Sequence, residues 1–245
     1  MRAAAMTFQS AWILGSTSTV AQSLVRELAQ QGCTRLTLLA RDKERNESFA
    51  EELRHQHPGL EINTIRVDLS ADKCSPIEPL GDFDLYVITA GCMGDADLAR
   101  VSSEQAQMIT QVNFTALIPW LTAIVNEDRM SNPGALWIFS SVAADRGRPS
   151  NYHYGAAKAG LTRFCEGLLL RCQGKPFAVR ILKAGFITSP MTEGKAPAVL
   201  CTSPDTIAKD LLRQPKRRGI EYIPWWWDPV MKLVRRLPAA LASKL

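Results

Sequence analysis

What most limits the fold of this 245-residue chain is an alternation that runs through most of its length. Short apolar runs of strand length take turns with amphipathic or charged stretches of helix length. Residues 11–14 (Ala-Trp-Ile-Leu) stop at Gly15-Ser16-Thr17-Ser18-Thr19-Val20-Ala21, and a run with Val20, Leu24, Val25 and Leu28 on one face follows and ends at Gly32. Apolar residues at that spacing share a helix face, and glycine suits a helix end because it takes up left-handed backbone freely. Residues 36–40, 62–67, 85–89, 135–140 and 177–182 repeat the strand pattern. Helices are expected over residues 43–55, 103–125 and 154–171, with Pro119 kinking or interrupting the second. Strands separated by helices pair in parallel, and a parallel sheet is covered on both faces. The expectation is an α/β fold: one doubly wound parallel sheet with helices on both faces.

Such sheets bind ligands beyond the carboxyl ends of their strands. Gly15, Arg41, Asp68, Gly91, Ser141 and Gly185 each follow the end of an expected strand, so all six belong to one rim. Tyr154 and Lys158 are joined by the small residues Gly155-Ala156-Ala157. Residues four apart on a helix lie one above the other, and an ammonium beside a phenol favours the phenolate. The pair is therefore expected to act as an acid/base, with the Ser141 hydroxyl facing the same pocket.

Composition removes several function classes. The net charge of +5 is mild, and no Lys/Arg block precedes Lys216-Arg217-Arg218, so no nucleic-acid partner is expected. The six cysteines (Cys33, Cys74, Cys92, Cys165, Cys172 and Cys201) include no Cys-x-x-Cys pair, which points to free thiols and to no metal site. His55 and His57, before Pro58-Gly59, read as an exposed helix end. Residues 1–6 have one charge and no long apolar run, so no signal peptide is expected there, and no apolar run is long enough to span a bilayer. A cytoplasmic location is expected.

The features in order are a glycine-bearing first turn, the strand-end Asp68-Leu69, the Ala90-Gly91 turn, Asn113, Ser141, the Tyr154-x-x-x-Lys158 pair and the Gly185-Phe186-Ile187 turn. Ser141 stands 13 residues before Tyr154 and 28 after Asn113. Over roughly residues 8–195 this series resembles the short-chain dehydrogenase/reductase family. The resemblance implies a Rossmann-type fold and hydride transfer between a nicotinamide and a ketone or secondary alcohol. It makes Asn113, Ser141, Tyr154 and Lys158 the catalytic set. Tyr154 moves the proton and Ser141 positions the carbonyl oxygen. Lys158 depresses the tyrosine pKa and holds the nicotinamide ribose, and Asn113 holds a water that links Lys158 to solvent. A plain role in satisfying the kinked helix is the competing reading of Asn113.

For the cofactor, the resemblance assigns Gly15, Thr17, Ser18, Thr19 and Val20 to the pyrophosphate turn and Asp68 and Leu69 to the adenine edge. Ala90, Gly91, Tyr154, Lys158, Gly185, Ile187 and Ser189 complete the set. A helix cap is the alternative for Asp68. At the end of the second strand, an acid binds the ribose of NAD whereas an arginine can hold the 2′-phosphate of NADP. The order Ala40-Arg41-Asp42 offers both, and NADP is the preferred expectation over NAD. The chain departs from the family pattern in keeping one glycine of three in the first turn, and in Thr89-Ala90-Gly91 for Asn-Ala-Gly. It departs again in Lys183-Ala184-Gly185 for Pro-Gly, and in Ser189 for threonine.

Residues 1–215 are expected to form the dinucleotide-binding and catalytic domain. Residues 216–245 form a basic, Trp-rich extension, either part of the same domain or a contact with membrane or another subunit. Its Pro224-Trp225-Trp226-Trp227 run precedes a stretch with Val230, Met231, Val234 and Leu237 on one side and Lys232, Arg235 and Arg236 largely away from them. Aromatics beside a basic amphipathic helix suit the inner face of a membrane, and a homo-oligomer interface is the alternative. With the Leu14-Gly15-Ser16-Thr17-Ser18 turn, this tail also resembles the reductases that serve decaprenylphosphoryl-ribose 2′-epimerases. That implies a keto-sugar on a polyprenyl phosphate as substrate. A soluble ketone or acyl-thioester is the alternative substrate, and an inactive cofactor-sensing regulator the alternative class.

Overall fold

A computed structural model of the chain describes residues 8–71, 76, 80–190, 192, 194 and 197–243. Residues 1–7, Cys74 and Met191, on which parts of the sequence reading fall, lie outside the described residues. Nine strands and ten α-helices occur among those described. Strands β1 (Ser10–Leu14), β2 (Arg35–Ala40) and β3 (Glu61–Arg66) alternate with helices α1 (Thr19–Gln30) and α2 (Lys43–Gln56). After β4 (Leu85–Ile88) come α3 (Ala96–Ala99), α4 (Ser103–Asn113), α5 (Ile118–Ile124) and α6 (Glu127–Met130). Then β5 (Gly134–Ser141), α7 (Tyr152–Arg171), β6 (Phe177–Ala184), β7 (Phe186–Ile187) and β8 (Cys201–Thr202) follow. The chain closes with α8 (Pro204–Arg213), β9 (Gly219–Ile223), α9 (Trp227–Arg236) and α10 (Ala239–Ala242).

Seven strands form one sheet in the order β3-β2-β1-β4-β5-β6-β9, and every pairing is parallel. This is the doubly wound α/β fold expected. All five residues of β1 and all four of β4 are buried, as central strands with helices on both faces must be. Leu24, Val25 and Leu28 of α1, Phe49 of α2 and Leu211 of α8 cover one face. Trp120 and Leu121 of α5 and Leu161 and Cys165 of α7 cover the other. There Trp12 of β1 packs against Trp120 with ring centres 5.5 Å apart. Chain order reverses between β1 and β4, and at that switch point a crevice opens beyond the strand ends.

One expectation needs correcting, and one element was not foreseen. The helix expected over residues 103–125 is two helices, and the break falls at Phe114 (φ −146°, ψ −70°) rather than at Pro119. Pro119 lies in the first turn of α5, where its missing N–H has no helical partner to lose. The second concerns the basic extension: its residues 219–223 are β9, the seventh strand, paired with β6. Arg180 of β6 is buried and reaches Glu221 of β9, and it also donates to the carbonyls of Leu211 and Gln214 at 3.0 and 3.1 Å. That ion pair ties the added strand to the sheet.

Candidate active site

The first turn leaves β1 through Gly15, whose φ of +95° L-residues with side chains rarely adopt. A Cβ there would also lie 2.5 Å from the Ala90 nitrogen. One glycine suffices because the later positions are already inside the helix: Ser18 is the N-cap of α1, its hydroxyl accepting from Ala21 N–H at 3.3 Å. Thr19 and Val20 open α1, and Thr17 lines the cleft. Ser16 points the other way, donating to Leu39 O and Asn46 Oδ1 and so fixing α2. Thr89, where the family has asparagine, donates to Gly15 O at 2.9 Å and holds the turn after β4 against the first turn.

A cleft of about 480 Å³ runs along the strand ends. Every residue assigned above to the cofactor lines it. Of the assigned catalytic residues, Ser141, Tyr154 and Lys158 line it and Asn113 does not. At one end stand Arg41, Asp42 and Arg45. The Asp42 carboxylate is occupied as the N-cap of α2, accepting from Arg45 N–H at 2.9 Å. Asp68 accepts from the Ser70 N–H and hydroxyl at 3.0 and 2.6 Å, so its carboxylate also terminates a strand. The Ser70 hydroxyl, and further off the Arg41 charge, hold Asp68 below the usual carboxylate range. The fit to a dinucleotide is good: a strained glycine turn clears the way to the α1 N-terminus, where amides and dipole favour phosphate.

At the other end β5 delivers Ser141 and α7 delivers Tyr154 and Lys158. Strand alternation sends Ser140 inward to Thr162 at 2.6 Å, and Ser141 to the cleft. Gly155 lets α7 press on the turn that follows β5, since a Cβ there would meet Ala143 O at 2.9 Å. The Lys158 ammonium lies 5.9 Å from the Tyr154 ring centre and donates to Phe139 O at 3.2 Å. Asn113 is fully buried, its amide donating to Cys92 O at 2.7 Å and Ile109 O at 2.8 Å and accepting from Cys92 N–H at 3.2 Å. Both amide protons are thus committed, and the side chain fixes the Gly91-Cys92 turn. It does so beside Lys158: a Cβ on Gly91 would lie 2.8 Å from Asn113 Oδ1 and 3.2 Å from Lys158 Nζ.

The electrostatics correct the expectation of a depressed phenol. Burial pushes the Tyr154 pKa up to about 12, against the opposing pull of the Ser141 hydroxyl hydrogen-bonded to it. Burial likewise pulls Lys158 down to about 8. Helical spacing brought the two groups to one side of the cleft as expected, but loss of hydration is the largest influence on both. Sequence reasoning also missed residues in this cleft. Arg45 lies in the first turn of α2, four residues after Arg41, and Arg148 and Asn151 stand in the loop before Tyr154. A basic residue between the serine and the tyrosine was the available signal for Arg148.

The extension packs against this end. Trp227 and Met231 of α9 are buried with Val142, next to Ser141, and Phe186 and Tyr222 join them. Lys183, near the end of β6, pairs with Asp145, which also accepts from the Tyr222 hydroxyl at 2.6 Å. Cys33, Cys92, Cys165, Cys172 and Cys201 are free thiols, and no metal-binding cluster occurs among the described residues.

A model of the short chain dehydrogenase family matches residues 9–199. An uncharacterized oxidoreductase of Mycobacterium tuberculosis is 32% identical over 235 residues, which cover 92% of each chain. A 3-oxoacyl-acyl-carrier-protein reductase of Haemophilus influenzae is 27% identical over 184 residues, 75% of this chain and 76% of its own. The solved structure of a short-chain dehydrogenase from Sphingobium yanoikuyae in complex with NADPH shares the fold. Its TM-score is 0.76 at 20% identity, covering 94% of this chain and 97% of that one.

Proposed function

The chain belongs to the short-chain dehydrogenase/reductase family and is an NAD(P)-dependent oxidoreductase, and from that premise we propose that it works as a carbonyl reductase. The observation that carries this reading is geometric: the Ser141 hydroxyl is hydrogen-bonded to the Tyr154 phenol, and both line the one cleft with Lys158 and the residues assigned to the cofactor, which places a proton donor where the carbonyl oxygen must lie. The nicotinamide, when bound, supplies hydride to the carbonyl carbon. Tyr154 passes its proton to the carbonyl oxygen, and Ser141 donates a hydrogen bond to that oxygen as charge builds on it. Lys158 holds the cofactor ribose and returns a proton towards the phenol. Asn113 keeps the Gly91-Cys92 turn in place beside Lys158. Arg41, with Arg45 behind it, favours NADP over NAD.

For the substrate we favour a keto-sugar carried on a polyprenyl phosphate, as for the reductase component of decaprenylphosphoryl-ribose 2′-epimerase. The support is the extension. Trp227 and Met231 turn inward, while Trp225 and Leu233 remain 78% and 66% exposed beside Arg235 and Arg236. No described helix is long and apolar enough to cross a membrane, so contact through this surface would be peripheral. The second reading, a soluble ketone or acyl-thioester with the extension at a subunit interface, draws on the similarity to 3-oxoacyl reductases.

The test is oxidation of NADPH by the purified chain against lipid-linked keto-sugars, soluble ketones and acyl-thioesters. Binding to anionic vesicles is measured beside it. Tyr154→Phe is expected to lower turnover by about a hundredfold or more while cofactor still binds. Near-normal turnover in that variant would sink the mechanism. Turnover of soluble ketones alone, with no vesicle binding, would replace the lipid-linked substrate by the second reading.

A further inference from the structure

The cleft carries a charge that the proton and hydride steps do not use. Arg148 stands in the loop between Ser141 and Tyr154 and lines the cleft with both of them and with Asn151. Other charged residues of that loop are answered within the chain. Asp145 takes Lys183 and the Tyr222 hydroxyl, and Arg146 donates to the carbonyls of Arg235 and Leu237 at 3.1 Å. Among the described residues no carboxylate pairs with Arg148, and its charge is felt at the Tyr154 phenol. Burial already pulls its pKa below the ordinary arginine value. Taking a guanidinium out of water is unfavourable unless an anion or strong acceptors replace the hydration.

We propose that Arg148 binds an anionic oxygen group, phosphate or carboxylate, that the substrate carries close to the carbonyl protonated by Tyr154. A guanidinium offers a planar fork of donors that matches either anion two bonds at a time. Lys158, the buried cation at this end, is engaged with Phe139 O, whereas Arg148 is only partly buried. This inference rests on the carbonyl-reductase reading and narrows it. The substrate is a ketone with a negative charge a few bonds from the reacting carbon, and a neutral ketone of the same skeleton is bound weakly.

Equilibrium binding by calorimetry tests the assignment. The full chain, saturated with NADP+ so that Arg41 and Arg45 are covered, is titrated with sn-glycerol 3-phosphate, with glycerate and with neutral glycerol. At least one anion is expected to bind about tenfold to a hundredfold more tightly than glycerol, the range of hydrogen bonds to a charged group. Tighter binding of the phosphate assigns a phosphate to the site, and tighter binding of glycerate a carboxylate. Arg148→Met is expected to erase the advantage of the anion, and Arg148→Lys to keep part of it. NADP+ affinity, measured on the same variants, reports an intact cleft, and if the methionine variant fails that control the lysine variant decides. Anions bound no better than glycerol, or anion affinity unchanged in a variant that still binds NADP+, would overturn the assignment. Binding requires no turnover. Failure of the reductase reading itself shows separately, as turnover that survives Tyr154→Phe.

Discussion

Trp227 lies directly over Gly185: a Cβ on the glycine would come within 1.8 Å of the indole Nε1. The bare glycine in the turn after β6 therefore answers to the C-terminal helix as well as to the cleft it lines. Gly185 N–H also donates to Ile223 O of β9 at 2.9 Å, so the turn, the last sheet strand and the extension meet at one point. Gly185→Ala is expected to push Trp227 off its seat and lower stability by about 1–3 kcal/mol, the usual range for overpacking. Trp227→Ala, which empties the same seat, is expected to cost about 3–5 kcal/mol. Urea unfolding measures both, and a glycine variant as stable as the parent would mean that α9 does not dock there in solution.

Lys158 gives a pH dependence of defined sign. Its pKa in the folded chain is about 8, below the ordinary value of 10.5, because burial disfavours the ammonium. Between those two values the unfolded chain binds more protons than the folded one, so this residue makes stability rise as pH rises through that window. Below about pH 8 the whole penalty is present. Lys158→Met, which removes it, is expected to be more stable than the parent at pH 7, with the gain vanishing towards pH 10.5. Unfolding midpoints of both proteins across that range check it. A gain that grows with pH would show that the ammonium is not desolvated as described.

The strands and the rim they end on were legible because each strand closes in a residue type that only a turn or a ligand explains. Helical spacing put Tyr154 and Lys158 on one face, and the resemblance to the family's spacing chose Ser141 and Tyr154 over their neighbours. Spacing carries no dielectric, and for that reason the Tyr154 phenol was expected to be acidified when burial in fact raises its pKa. Strand β9 was missed because Gly-Ile-Glu-Tyr-Ile follows a run of cations and lacks the apolar continuity of β1 or β4. Its place depends on Glu221 meeting Arg180 across 41 residues of chain. Phe114 was missed because proline was treated as the breaker, although the first turn of a helix tolerates it.

Asp145 and Lys183 form the other long-range bond that sequence could not announce, 38 residues apart and both largely buried. The pair stitches the loop that follows Ser141 to β6, and Tyr222 joins it from β9. Asp145→Asn leaves the Lys183 ammonium buried without its counter-charge, which typically costs about 3–5 kcal/mol. Adding Lys183→Met to that variant is expected to restore part of the loss, because the stranded charge goes as well. A double-mutant cycle in urea measures the coupling. Strict additivity of the two substitutions would remove the pair from any account of how the loop is held.

Cofactor choice comes down to which charges at the end of β2 remain free. Asp42 is the natural rival to Arg41, but its carboxylate is occupied in capping α2. Arg41 and Arg45 are exposed at the mouth of the cleft, and no ion pair engages either among the described residues. Two uncommitted guanidiniums suit a 2′-phosphate, whereas a capped carboxylate is a weakened acceptor for ribose hydroxyls. The double variant Arg41→Ala/Arg45→Ala is expected to raise KM for NADPH by about tenfold to a hundredfold and to leave that for NADH nearly unchanged. The parent is expected to prefer NADPH, and to do so less with added salt, since both charges face water. Asp42→Ala supplies the contrast: it removes a helix cap worth about 1 kcal/mol and should leave the NADPH to NADH ratio where it was. A ratio that collapses in the aspartate variant and survives in the arginine one would reverse the assignment to NAD.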